Sequence, residues 1–150
     1  MPLGTLEVLL VEAKGLKNKD FLYLNCLVLL SAGCFNKMDP YVIFTVKTQE
    51  KKSTVAKGKG CDPEWNESFL FTVTDDVSEL RLKIMDKDTF TKDDFVGEAI
   101  VPLEPLFADG RLPPTAYNVV NKDQEYRGEI IIGITFTPEP QVSMFIAYQT

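Results

Sequence analysis

The sequence predicts an all-β protein, an antiparallel sandwich of eight strands. Three observations carry this expectation. Apolar and polar residues alternate at period two in a series of short segments. Gly, Pro, Asn and Asp punctuate the intervals between them. No segment carries the helical period of a convincing amphipathic helix. At 150 residues the chain has room for one domain with a real core.

Taken in order, 5–12 is the first strand, with Leu6, Val8 and Leu10 on one face. Gly15 ends it. An uncharged stretch, 21–35, follows; its fifteen residues fall short of the roughly 20 needed to span a bilayer. Alternation resumes over 41–47, then over a shorter, basic strand at 51–56. Gly58, Gly60 and Asp62-Pro63 mark a loop. The segment 65–73 sets Phe69, Phe71 and Val73 on one face, with Trp65 at the core or its rim. Over 79–85, Leu80, Leu82 and Ile84 point inward. Strands at 95–101, 116–120 and 128–136 complete the set, and 138–150 reads as a tail.

Between the 79–85 and 95–101 strands lie Asp86, Asp88, Asp93 and Asp94. Carboxylates this close repel one another unless a cation or basic groups offset the charge. Hard oxygen donors in a flexible loop suit Ca²⁺. Soft-metal chemistry is disfavoured, because the chain has no His and no paired Cys motif. An EF-hand is excluded: counted from Asp86, the fifth and sixth positions are Phe90 and Thr91, where that loop needs an Asp and a Gly.

A net charge of −6 argues against general nucleic-acid binding, which clustered Lys and Arg drive. The charge is unevenly spread: acidic residues concentrate at 75–94, while Lys47, Lys51, Lys52, Lys57 and Lys59 crowd one region. Three Cys and the lack of a charged-then-apolar leader fit a cytosolic, reduced protein. An enzyme is not expected, since His, Gly-x-Ser-x-Gly and Gly-x-x-x-x-Gly-Lys are all absent.

Four ordered motifs resemble the successive signatures of a C2 domain: Leu9-Leu-Val-Glu-Ala-Lys-Gly-Leu16, Met38-Asp-Pro-Tyr-Val42, Asp62-Pro-Glu-Trp-Asn-Glu-Ser-Phe69 and Asp86-Lys-Asp with Asp94-Phe-Val-Gly97. Pro113-Pro-Thr-Ala-Tyr-Asn-Val-Val120 and Glu125-Tyr-Arg-Gly-Glu129 are similar to the small plant C2 proteins of the elicitor-responsive and phloem type. The resemblance implies a single C2 β-sandwich over 1–137 in the phospholipase-like (type II) topology. It also implies a calcium site in which Asp20 and Asp39 come from the first loop and Asp86, Asp88 and Asp94 from the third. Asp93 would be an extra charge beside it.

The chain departs from the family between the first two ligands. Asp20 and Asp39 stand nineteen positions apart, where the family has about six. Removing 23–35 restores a normal first loop, so this apolar block reads as an insertion, from an alternative splice form or a gene-model error. The function implied is Ca²⁺-dependent binding to anionic phospholipid, phosphatidylserine or phosphoinositide, by a monomer that moves between cytosol and plasma membrane in plant defence signalling. Phe90 would enter the headgroup region and the five Lys would add contacts. The alternative is a Ca²⁺-independent protein or RNA interaction and trafficking protein of the phloem type.

Overall fold

The computed structural model describes residues 2–17, 38–56 and 60–139. Asp20, Lys57, Lys59, the 23–35 block and the tail beyond Glu139 lie outside the described residues. Among those described, β1 spans Pro2–Lys14, β2 Pro40–Val46, β3 Gln49–Lys52 and β4 Glu64–Thr74. Next come β5 (Glu79–Asp86), β6 (Asp94–Pro102), a short helix α1 (Glu104–Asp109), β7 (Arg111–Val120) and β8 (Tyr126–Pro138). The strands hydrogen-bond in the order β3-β2-β5-β6-β7-β8-β1-β4, every neighbouring pair antiparallel.

Between β6 and β7 the ladder narrows to one pair, Glu98 with Val120. That constriction separates two four-stranded layers, so the eight-stranded sheet folds over as a sandwich. Phe44, Leu82 and Ile84 of one layer meet Leu6, Val8, Leu10, Phe71, Ile130, Ile132 and Ile134 of the other in one core. Each of these alternates with an outward residue along its strand, as the period-two pattern requires. Trp65 and Phe69 pack at the margin of that core.

The opposite seam, between the outer strands β3 and β4, is closed by side chains. The Gln49 carboxamide accepts the Thr72 N–H (2.9 Å) and donates to the Thr72 carbonyl (2.6 Å), reproducing one rung of a ladder. Glu67 accepts from the Thr54 hydroxyl, and the Trp65 indole N–H donates to the Thr54 carbonyl (2.9 Å). Bare strand edges invite pairing with other chains; here both edges are turned toward each other. Gln49→Ala removes the whole rung, and urea denaturation is expected to show a loss of about 1 kcal/mol.

Several boundaries differ from the sequence expectation, β7 among them, which begins at Arg111 instead of 116. The helix α1 lies in a stretch to which the sequence reading assigned no element; it has Pro within its first turn and ends at Gly110, whose φ of 82° is left-handed. The basic strand runs over Gln49–Lys52 instead of 51–56. Its shift follows from a tight turn at Lys47-Thr48, in which Lys47 takes φ 55°. Cys61 is buried in the core.

Candidate metal centre

Three adjacent strands deliver the acidic residues to one end of the sandwich. Antiparallel pairing places Pro40 opposite Asp86 and Asp86 opposite Asp94. Asp39, Asp86 and Asp94 therefore stand side by side at the start of β2, the end of β5 and the start of β6. The connection is tightened by the backbone: the Asp39 N–H donates to the Asp86 carboxylate (2.9 Å), and the Lys87 N–H donates to the Asp39 carbonyl (2.9 Å).

Asp88 opens the loop between β5 and β6. Its carboxylate accepts from the Thr91 hydroxyl (2.7 Å) and from the Phe90 and Thr91 N–H groups (2.9 and 3.3 Å). These donors hold its pKa below the ordinary carboxylate range, the Thr91 hydroxyl contributing most. The turn so formed lifts Phe90 to the tip, 94% exposed.

Asp93 has a different task. The Tyr41 hydroxyl donates to it at 2.5 Å, the Asp88 N–H at 3.0 Å, and the Lys87 ammonium lies 3.7 Å away. Those contacts pin the loop onto β2 and lower the Asp93 pKa, the Asp88 N–H being the largest cause. Burial first, and the Asp93 contact second, push the Tyr41 phenol up to about 12. Sequence reading set Asp93 aside as a neighbouring charge and gave Tyr41 only a place in a strand; the pair is separated by 52 positions, and no local signal links them. Tyr41 is expected to ionise near pH 12, with stabilisation complete below pH 10 and lost as pH rises toward 12. In Asp93→Asn the midpoint moves down; Tyr41 ¹³Cζ shifts against pH measure both.

The donor set suits Ca²⁺: hard carboxylates and backbone carbonyls, with no His or thiolate among Asp39, Asp86, Asp88 and Asp94. Among the described residues, no three such groups already stand in a metal-holding arrangement. Asp86 instead accepts the Asp39 N–H, and Asp88 the loop's own Phe90 and Thr91 N–H groups. A bound cation would be held by Asp39, Asp86, Asp88 and Asp94, supplying positive charge where carboxylates outnumber the neighbouring Lys87 and Lys92.

The basic residues divide. Lys51 and Lys52 lie exposed on β3, with the Lys51 ammonium 5.8 Å from the Phe71 ring centre. Lys47 sits in the turn at the opposite end from the Asp residues, in an ion pair with Asp76 (2.5 Å). No helix among the described residues is long and apolar enough to cross a membrane.

A family model for the C2 domain matches residues 4–119. The 16 kDa phloem protein 2 of Arabidopsis thaliana is 56% identical over 138 residues, covering 92% of this chain and 84% of that protein. Elicitor-responsive protein 3 of Oryza sativa subsp. japonica is 56% identical over 136 residues, covering 91% and 85%. Among solved structures, a C2 domain-containing protein superposes with a TM-score of 0.74 at 52% identity, covering 93% of both chains. The calcium-bound pair of C2 domains from Extended-Synaptotagmin 2 gives a TM-score of 0.70 at 26% identity, covering 91% of this chain and 46% of that one.

Proposed function

From the premise that this chain belongs to the C2-domain family, we propose that it is a Ca²⁺-dependent phospholipid-binding module. The observation that carries this reading is the convergence of Asp39, Asp86 and Asp94 from three neighbouring strands, beside a loop whose tip is the exposed Phe90. Unliganded, the acidic end repels anionic lipid. A bound Ca²⁺ reverses the local sign and leaves coordination positions for lipid phosphate. Phe90 then enters the headgroup region and buries apolar surface. Asp20 belongs to the same proposed ligand set, and Lys51, Lys52, Lys57 and Lys59 to the surface that adds contacts to anionic lipid. Lys47 is engaged by Asp76 and faces away from that end.

The role is that of a binding protein without catalysis, peripheral at the plasma membrane when Ca²⁺ rises and cytosolic otherwise. Its likeness to an elicitor-responsive protein supports a place in plant calcium and defence signalling. A second reading, Ca²⁺-independent partner binding, draws on the exposed Lys51 and Lys52 and on the likeness to a phloem protein; it predicts binding that survives chelation.

Calorimetric titration of the unmodified chain with CaCl₂ is expected to show saturable binding, and a flat trace contradicts the proposal. Phe90→Ser leaves that titration unchanged. At saturating Ca²⁺ it weakens binding to phosphatidylserine vesicles about tenfold, from the lost apolar burial.

A further inference from the structure

Beside the acidic end lies a second feature that the calcium reading does not use. The start of β6 and the loop joining β7 to β8 enclose a cavity of about 300 Å³, lined by Asp94, Phe95, Asn121, Lys122, Asp123 and Arg127 among others. Arg127 is 5% exposed. Its guanidinium donates to the Tyr126 carbonyl at 3.1 Å and lies 3.8 Å from the Glu125 carboxylate, beyond hydrogen-bonding reach. A guanidinium is a fork of several N–H donors, and burying it half-satisfied is costly. Counted against the described residues, the side chain keeps donor capacity on the wall of an open cavity.

The surroundings are built around it. The Asn121 side-chain carbonyl accepts the Asp123 and Glu125 N–H groups, both at 2.9 Å, which fixes the loop. Lys122 is held with its ammonium 5.1 Å from the Phe95 ring centre. Two cationic groups of different kinds, a buried planar fork and an exposed point charge, therefore flank one space. That pairing matches a phosphate, which takes bidentate hydrogen bonds from Arg and a point charge from Lys.

We propose that this cavity is a phosphate-binding subsite, with Arg127 gripping two phosphate oxygens and Lys122 closing the mouth. Asp94 and Asp123 oppose an anion entering alone. Neutralising Asp94 with Ca²⁺ removes part of that repulsion, so occupancy rises with calcium; only this calcium dependence rests on the reading under Proposed function. The phosphate comes either from a phospholipid headgroup or from a free phosphate.

The test uses the 150-residue chain labelled with ¹⁵N and two probes, sodium phosphate and glycerophosphoserine, each titrated both in chelator and at one fixed Ca²⁺ concentration and compared at the same calcium level. Saturable shifts of the Arg127 Nε–H and the Asn121 amide are expected. Shifts confined to glycerophosphoserine identify a lipid headgroup, and equal shifts with sodium phosphate identify the free anion. Arg127→Lys keeps the charge but loses the fork, and is expected to weaken binding about tenfold. Lys122→Ala, an exposed change that spares the fold, weakens it about threefold. Cavity resonances that stay still with both probes overturn the subsite, as do shifts whose midpoint is unchanged in Lys122→Ala and in a folded Arg127→Lys. Failure of the calcium reading shows separately, as vesicle binding indifferent to Ca²⁺ while the shifts in chelator persist.

Discussion

Replacing Asp86 and Asp88 together by Asn is expected to weaken Ca²⁺-dependent binding to phosphatidylserine vesicles by about 100-fold or more. The fold survives because Asn keeps a side-chain carbonyl at each place. It still accepts the Asp39 N–H at position 86, and the Phe90 and Thr91 N–H groups at position 88. What leaves is two negative charges and the capacity for carboxylate coordination. Hard cations are held by charge as much as by oxygen count, so the loss falls on calcium and not on the loop. Thermal unfolding without Ca²⁺ is expected to stay close to that of the unmodified chain. Unchanged calcium-dependent pelleting of the double variant would remove these residues from the site.

The second large effect is on stability. Gly128 opens β8 beside the end of β1 with φ 127°, a conformation that L side chains rarely adopt. A Cβ there would come within 2.9 Å of the carbonyl oxygens of Lys14 and Gly15, both backbone atoms. Neither can yield without disturbing the β1–β8 ladder, whose last pair, Lys14 with Glu129, stands directly beside Gly128. Gly128→Ala is therefore expected to cost about 3 kcal/mol, from strained backbone and overpacking together. Gly110 provides the contrast, with φ 82° but nothing within 4 Å of its added Cβ. Gly110→Ala should cost about 1 kcal/mol, the conformational part alone. Urea denaturation of both variants separates the contributions; equal losses would show that the contact with β1 is immaterial.

The alternation of Leu6, Val8 and Leu10, and of Leu80, Leu82 and Ile84, made the strands and their buried faces legible, because one face of each strand is core. The first half of β7 was not legible. Pro113 and Pro114 lie inside it, where proline removes ladder donors, and the β7–β8 register shifts between Leu112 and Thr115 to accommodate them. The six residues of α1 are too few for a helical period to show. At the site, the run from Asp86 to Asp94 announced itself by charge density within one loop. Asp39 entered through its motif, and its place beside Asp86 follows from strand pairing across 47 positions. The Tyr41–Asp93 tie and the Arg127 cavity depend on residues remote in sequence whose types are unremarkable singly. Only the register of the strands brings them together.

The most direct test of the central claim is co-sedimentation of the unmodified chain with phosphatidylserine vesicles, in Ca²⁺ and in chelator. The account predicts that the protein pellets with vesicles in Ca²⁺ and stays in the supernatant in chelator. Equal pelleting in both, or none in either, would contradict it.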